Sequence, residues 1–226
     1  MFRVRTFGGL SVIEEGADGA PIAVQRRRLA LLALLAGAGD RGMTRERIMA
    51  YLWPESGTTS ARHNLKQAVF GLRRQFGAEV FEGEIALRLN ANAMRTDRAE
   101  LERALRDGRI DDAMTVRAGP FLDGFHLDGA VEFERWMDAE REETSQRLQR
   151  ALEAHAARAA EEGDAQGSVR RWRQLVALDP YSSRYTVGLM RALAEAGDAP
   201  GAIRVARAHE ARVRERDGES RWLVHR

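Results

Sequence analysis

Cysteine is absent from the 226 residues. That excludes a disulfide framework, a thiolate zinc site and a cysteine nucleophile, and it agrees with a reducing compartment. Lysine is almost absent as well: Lys66 is the only one among 36 basic side chains. No glycine precedes it, so there is no phosphate-cradling P-loop. Long apolar runs are missing. The longest, Leu29 to Ala38, has ten residues, against the ~20 that a membrane-spanning helix needs. Met1 to Phe7 lacks the charged, apolar and small-residue zones of a signal peptide. These features predict a soluble cytoplasmic protein with no membrane partner.

Catalytic patterns are missing too. The histidines, at 63, 126, 155, 209 and 225, have no metal-ligand spacing, and no G-x-S-x-G elbow occurs. Gly37, Gly39 and Gly42 fit G-x-G-x-x-G. The segment before them is Leu/Ala-rich and helical rather than a β-branched strand, so a turn between helices is the better reading than a dinucleotide site. Asp111-Asp112 and Glu142-Glu143 read as solvated helix faces. The sequence therefore predicts neither an enzyme nor a cofactor or metal site.

Apolar residues make up 44% of the chain, enough for a real core. The length admits two domains of ordinary size. Charge divides unevenly. Residues 1–95 carry 14 basic against 9 acidic side chains, a surplus of five positive charges; residues 96–226 carry 22 against 25, a surplus of three negative ones. A basic, nucleic-acid-facing part at 1–95 followed by an acidic, protein-facing part at 96–226 is the division this suggests.

The first part opens with strand patterns: Phe2, Val4 and Thr6 alternate with arginines, Leu10 to Ile13 follows Gly8-Gly9, Gly16 to Gly19 reads as a turn, and Pro21 to Val24 is a third short run. A small antiparallel sheet is expected. From Arg28 to Ala36 the chain is Leu/Ala-rich, which favours helix. Thr44 is placed to cap a second helix over Arg45 to Leu52, ended by Trp53-Pro54. Thr58 or Thr59 is placed to cap a third that Gly77 stops. Val80 to Leu89, with a turn at Glu82-Gly83-Glu84, reads as a hairpin. Sheet, three helices and hairpin together predict a winged helix-turn-helix.

The third helix carries the chemistry. At 100° per residue, Ala61, Leu65, Ala68, Leu72 and Phe76 share one face. The opposite side holds Arg62, His63, Lys66, Gln67, Phe70, Arg73 and Arg74. No acid lies between Glu55 and Glu79. A major-groove helix avoids carboxylates because they would face phosphates, whereas Arg, Lys and Gln read base edges or clamp the backbone. Phe70 is suited to a thymine methyl. The competing reading is a solvated surface helix with Phe70 in an interdomain contact.

The second part is helical throughout, and it repeats. Gly163 to Arg170 and Gly197 to Arg204 lie 34 residues apart and agree at five of eight positions. That is the period of the tetratricopeptide helix pair. Ser168 and Ala202 hold the same small-residue place, and Gly108 with Ala113 has the spacing once more. A long helix is expected over roughly 131–162, with Trp136 and Trp172 as packing residues.

Several segments in order resemble the Streptomyces antibiotic regulatory protein family of bacterial transcriptional activators. They are Leu52-Trp53-Pro54-Glu55, Ala61 to Leu65, Gly71 to Gly77, Leu87-Arg88-Leu89-Asn90 and Thr96-Asp97. Gly119 to Phe125, Phe133 to Trp136 and Glu140-Arg141 resemble that family's bacterial transcriptional activator domain. The resemblance runs over about residues 2–218, and Asp217 to Arg226 departs from the usual tail. It implies a mainly α chain: a response-regulator-type winged helix with an N-terminal sheet, then tetratricopeptide-like repeats. It also implies binding to repeated sites in double-stranded promoter DNA, contact with RNA polymerase and possible homodimers. The third helix would lie in the major groove, and the wing around Arg88 would touch the minor groove or backbone. The alternative is a helical-repeat scaffold that no longer binds DNA.

Overall fold

The computed structural model describes residues 1–16 and 19–223, with side chains through residue 216. The middle of the turn expected over Gly16 to Gly19 and residues 224–226 of the atypical tail lie outside the described residues. Among the described residues no helix is long and apolar enough to cross a membrane. The chain is mainly α with small sheets near the N-terminus.

Two compact units are present, Met1–Ser145 and Gln146–Arg226. The boundary expected at 95/96 falls inside the first. Hydrogen bonding explains why. Strand β1 (Phe2–Arg5) pairs antiparallel with β2 (Ser11–Glu14). Its other neighbour, parallel to it, is a strand from far along the chain, Met94–Thr96. Pro21 to Val24, expected in this sheet, is not a strand. Pro21 has no N–H to give, and the segment's recorded backbone bond to β2 is from Ile22 N–H to the Val12 carbonyl, at 2.7 Å.

Helix α1 (Arg26–Ala38) buries every residue from Ala30 to Ala36. A helix buried all round shows no amphipathic stripe, which is why its Leu/Ala content is a better guide than periodicity. The glycine cluster after it is a 3-10 turn, Gly39–Arg41, with Gly42 at φ 63°. Strand β3 (Met43–Thr44) leads into α2 (Arg45–Leu52), and the Thr44 hydroxyl accepts from Arg47 N–H as expected of a cap. Helix α3 (Thr58–Phe76) begins after Gly57, so neither Thr58 nor Thr59 is its cap; both lie in its first turn. The hairpin follows: β4 (Phe81–Glu82) pairs with β5 (Ala86–Leu89), and β5 also pairs with β3. The strand that joins β1 is then β6 (Met94–Thr96), followed by α4 (Asp97–Arg106) and α5 (Ile110–Val116).

Residues 117–130 close the first unit. Phe121 and Leu122 are fully buried. Leu122 N–H bonds the Thr6 carbonyl at 2.7 Å, and Gly8 N–H bonds the Pro120 carbonyl at 3.0 Å. Phe121 stacks edge-on against both Phe7 and Trp136, at 5.9 and 5.8 Å between centroids. Trp136 lies in α6 (Val131–Glu161). Arg141, a turn further on, donates to the Phe121 and Leu122 carbonyls at 2.7 and 2.8 Å. Leu122 has φ 49°, and these bonds hold it there against the strain that a side chain brings to that region.

The second unit contains α7 (Ala165–Leu178), α8 (Ser183–Glu195) and α9 (Ala199–Leu223). Its core is Val169, Leu189, Ala192 and Leu193, with Trp172, Val176 and Val205 packed on it. The sequence repeat is a repeat of hydrogen bonds. Asp164 N–H bonds the Ala159 carbonyl, and Asp198 N–H bonds the Leu193 carbonyl, both at 2.8 Å. The carboxylates of Asp164 and Asp198 accept from Gly167 and Gly201 N–H, again at 2.8 Å. Gly163 and Gly197 have φ 78° and 81°. The turn from α4 to α5 follows the same scheme: Gly108 has φ 69°, and Arg109 N–H bonds the Ala104 carbonyl at 2.8 Å.

Candidate nucleic-acid interface

Helix α3 is seated by its apolar face. Ala61, Leu65, Ala68, Leu72 and Phe76 are all buried, and Phe76 meets Phe2 of β1 edge-on at 5.0 Å. Gly71 has a packing reason. A Cβ there would come within 2.4 Å of the Arg28 guanidinium, so α1's arginine lies across α3 at that point. With one face fixed, 100° per residue dictates the other.

Arg62, His63, Lys66, Gln67, Phe70, Arg73 and Arg74 are all exposed, as expected, and Phe70 is 61% exposed. Among the described residues none of the four cations has an ion-pair partner. Elsewhere the surface mixes signs within a helical turn or two: Arg109 with Asp107 and Asp112, Arg135 with Glu132, Arg141 with Asp138. Arg73 and Arg74 also sit in the last turn of α3, where the helix dipole favours cations.

Arg88 is on β5 and exposed, but it is not unpartnered. Its Nε donates to Glu82 Oε1 of β4 at 2.8 Å. The turn between them carries a second acid, Glu84, and then Ile85, which is 86% exposed. One residue that periodicity missed belongs here. Arg45, in the first turn of α2, donates to the Glu84 carbonyl at 2.5 Å. It lines an open groove of about 430 Å³ with Arg62, Lys66, Phe70 and Arg73, and with one acid, Glu46. Leu65, Val69 and Leu87 line its apolar side. No motif marks Arg45; only the approach of the wing turn to α2 brings it in.

The second unit holds another concavity, about 570 Å³, between the end of α6, α7 and α8. Ala156, Ala160, Trp172, Val187 and Arg191 are among its lining residues. Gly188 lets the Trp172 ring approach, since a Cβ there would lie 2.5 Å from the indole.

A family model described as Bacterial transcriptional activator domain matches residues 72–219. No curated protein matches the chain. Among solved structures, Mycobacterium tuberculosis EmbR in complex with low affinity phosphopeptide is similar, with a TM-score of 0.62 and 20% identity. The likeness covers 95% of this chain and 60% of that one, and at this identity it is a likeness of fold. This chain thus spans about three fifths of the EmbR chain's length.

Proposed function

We propose, for a chain that belongs to the bacterial transcriptional activator domain family, that it is a transcriptional activator that reads double-stranded promoter DNA with α3. The observation that carries this reading is the outward face of α3: four cations, a histidine, a glutamine and an exposed phenylalanine, with no acid on the helix and no ion-pair partner among the described residues. Arg62, Lys66, Arg73 and Arg74 would replace counterions on phosphate, the term that supplies most affinity and makes it salt-dependent. His63, Gln67 and whichever arginine reaches a base edge supply discrimination, and Phe70 meets a thymine methyl. Residues 1–95 do the reading.

Residues 96–226 supply protein contacts. The family resemblance points to RNA polymerase and to a second copy of the chain, and the groove around Trp172 gives the helical repeats a concave surface. Such a protein acts at the nucleoid in the cytoplasm, and its role is binding rather than turnover.

The test is capture of genomic fragments by the purified chain, read by sequencing at two salt concentrations. Promoter fragments sharing a repeated motif, and fewer of them at high salt, are expected. A folded protein that enriches nothing at low salt would instead be the helical-repeat interaction scaffold.

A further inference from the structure

The wing of this protein is acidic where it approaches the cationic groove. Glu82 holds Arg88, Glu84 follows two residues later, and Arg45 fastens the Glu84 carbonyl at the edge of the groove that Arg62, Lys66 and Arg73 line. The tip is rigid. Gly83 has φ 91°, and a Cβ there would lie 2.0 Å from the Ala86 carbonyl oxygen, so the turn accepts only glycine. A carboxylate beside a phosphate chain is repelled, and a paired Arg88 brings no net charge to DNA.

We infer that Glu82 and Glu84 make the wing an electrostatic brake on phosphate binding, which lowers affinity for DNA of any sequence and leaves discrimination to α3. The inference rests on the reading of α3 as a DNA-binding helix. Arg88 on this account is a reserve cation. The Glu82–Arg88 pair is about half exposed on both sides, and exposed pairs are weak. The geometry therefore leaves Arg88 available to phosphate once Glu82 loses its charge.

Glu82→Gln and Glu84→Gln separate the two parts of this idea, with Asp123→Asn, an exposed acid elsewhere in the first unit, as the control for net charge. The probe is a random-sequence duplex, titrated over a range of salt. Glu82→Gln should bind it several-fold more tightly, with a salt slope steeper by about 0.9, one more phosphate contact. Adding Arg88→Ala should return the slope to its original value. Glu84→Gln should also tighten binding, and Asp123→Asn should do so far less. Equal gains in all three variants, or weaker binding by Glu82→Gln, would overturn the brake while leaving α3 as the DNA-binding helix. Failure of the unaltered, folded chain to bind the duplex at low salt would overturn both.

Discussion

Asp97 and Thr6 are 91 residues apart in sequence and are joined by two hydrogen bonds of 2.6 Å, one from the Thr6 backbone N–H and one from its hydroxyl. Phe7 N–H adds a third to the same carboxylate, at 3.0 Å. Asp97 is the first residue of α4, whose cap is Thr96, and its carboxylate also caps the end of β1. This buried acid stitches the chain that leaves the wing onto the chain that enters the fold.

Asp97→Ala is therefore expected to destabilise the first unit by about 3 kcal/mol, the consequence of leaving buried N–H groups without an acceptor. Asp97→Asn should cost about 1 kcal/mol or less, because its carbonyl can accept both backbone N–H groups while its amide donates to the Thr6 hydroxyl. Urea unfolding of the three proteins checks the order.

The same acid sets a pH dependence. Burial raises the Asp97 pKa above the ordinary carboxylate value, outweighing the hydrogen bonds from Thr6 and Phe7 that lower it. The folded state then holds a proton that the unfolded state releases. This contribution to stability is present at low pH and is lost as pH rises from the ordinary carboxylate value through the raised one. Relative to the unaltered chain, Asp97→Asn should gain stability across that window and stay level above it. A stability difference that does not vary with pH would contradict the raised value.

Phe70→Ala should leave the unfolding midpoint almost unchanged, within about 0.5 kcal/mol, since the ring is mostly in water. Its effect belongs to recognition. Preference for thymine at one operator position should fall, by about 1–3 kcal/mol at most. Selection from a randomised duplex pool, sequenced for both proteins, gives the comparison. A large loss of stability would mean that the ring is a packing residue after all.

Lys66→Ala tests the phosphate contacts directly. Affinity should drop for all sequences alike, and the salt slope should flatten by about 0.9. An unchanged slope removes Lys66 from the phosphate-binding set.

Trp136→Ala reaches the core of the first unit. The indole is 8% exposed and lies against Phe121, Phe133 and Tyr51. A loss of about 3–5 kcal/mol is expected, read as a fall in the first unit's melting temperature.

Gly188→Ala makes the corresponding test in the second unit. Its methyl would overlap the Trp172 ring, and crowding of this kind costs about 1–3 kcal/mol. The near-ultraviolet signal of tryptophan should change while helix content is kept.

Much of this was legible in the residues. The buried and exposed faces of α3 followed from a 3.6-residue period, and the helix-pair turns followed from Gly-Asp-x-x-Gly at a fixed offset. Both are local: a helix face depends on residues three and four apart, and the turn's bonds close within six residues. What was not legible was non-local. The parallel pairing of β1 with β6, the Asp97 carboxylate under Thr6, and Phe121 and Leu122 filling the first unit all join segments about 90 to 120 residues apart. No spacing rule reaches that far. The misplaced third strand at Pro21 to Val24 has the same origin, since a short apolar run does not say what it pairs with.

The sequence by itself determined the helices, the repeat, the family and the acid-free face of α3, because each is written in local spacing and in side-chain type. The tertiary structure alone decided which cations are left without partners. Arg62, Lys66, Arg73 and Arg74 project from one helix and make no ion pair among the described residues, although Glu46 lines the same groove, whereas Arg88 meets Glu82 across a two-strand ladder. Charge is a property of the residue, but whether it is spent depends on what the fold brings within a few ångströms of it.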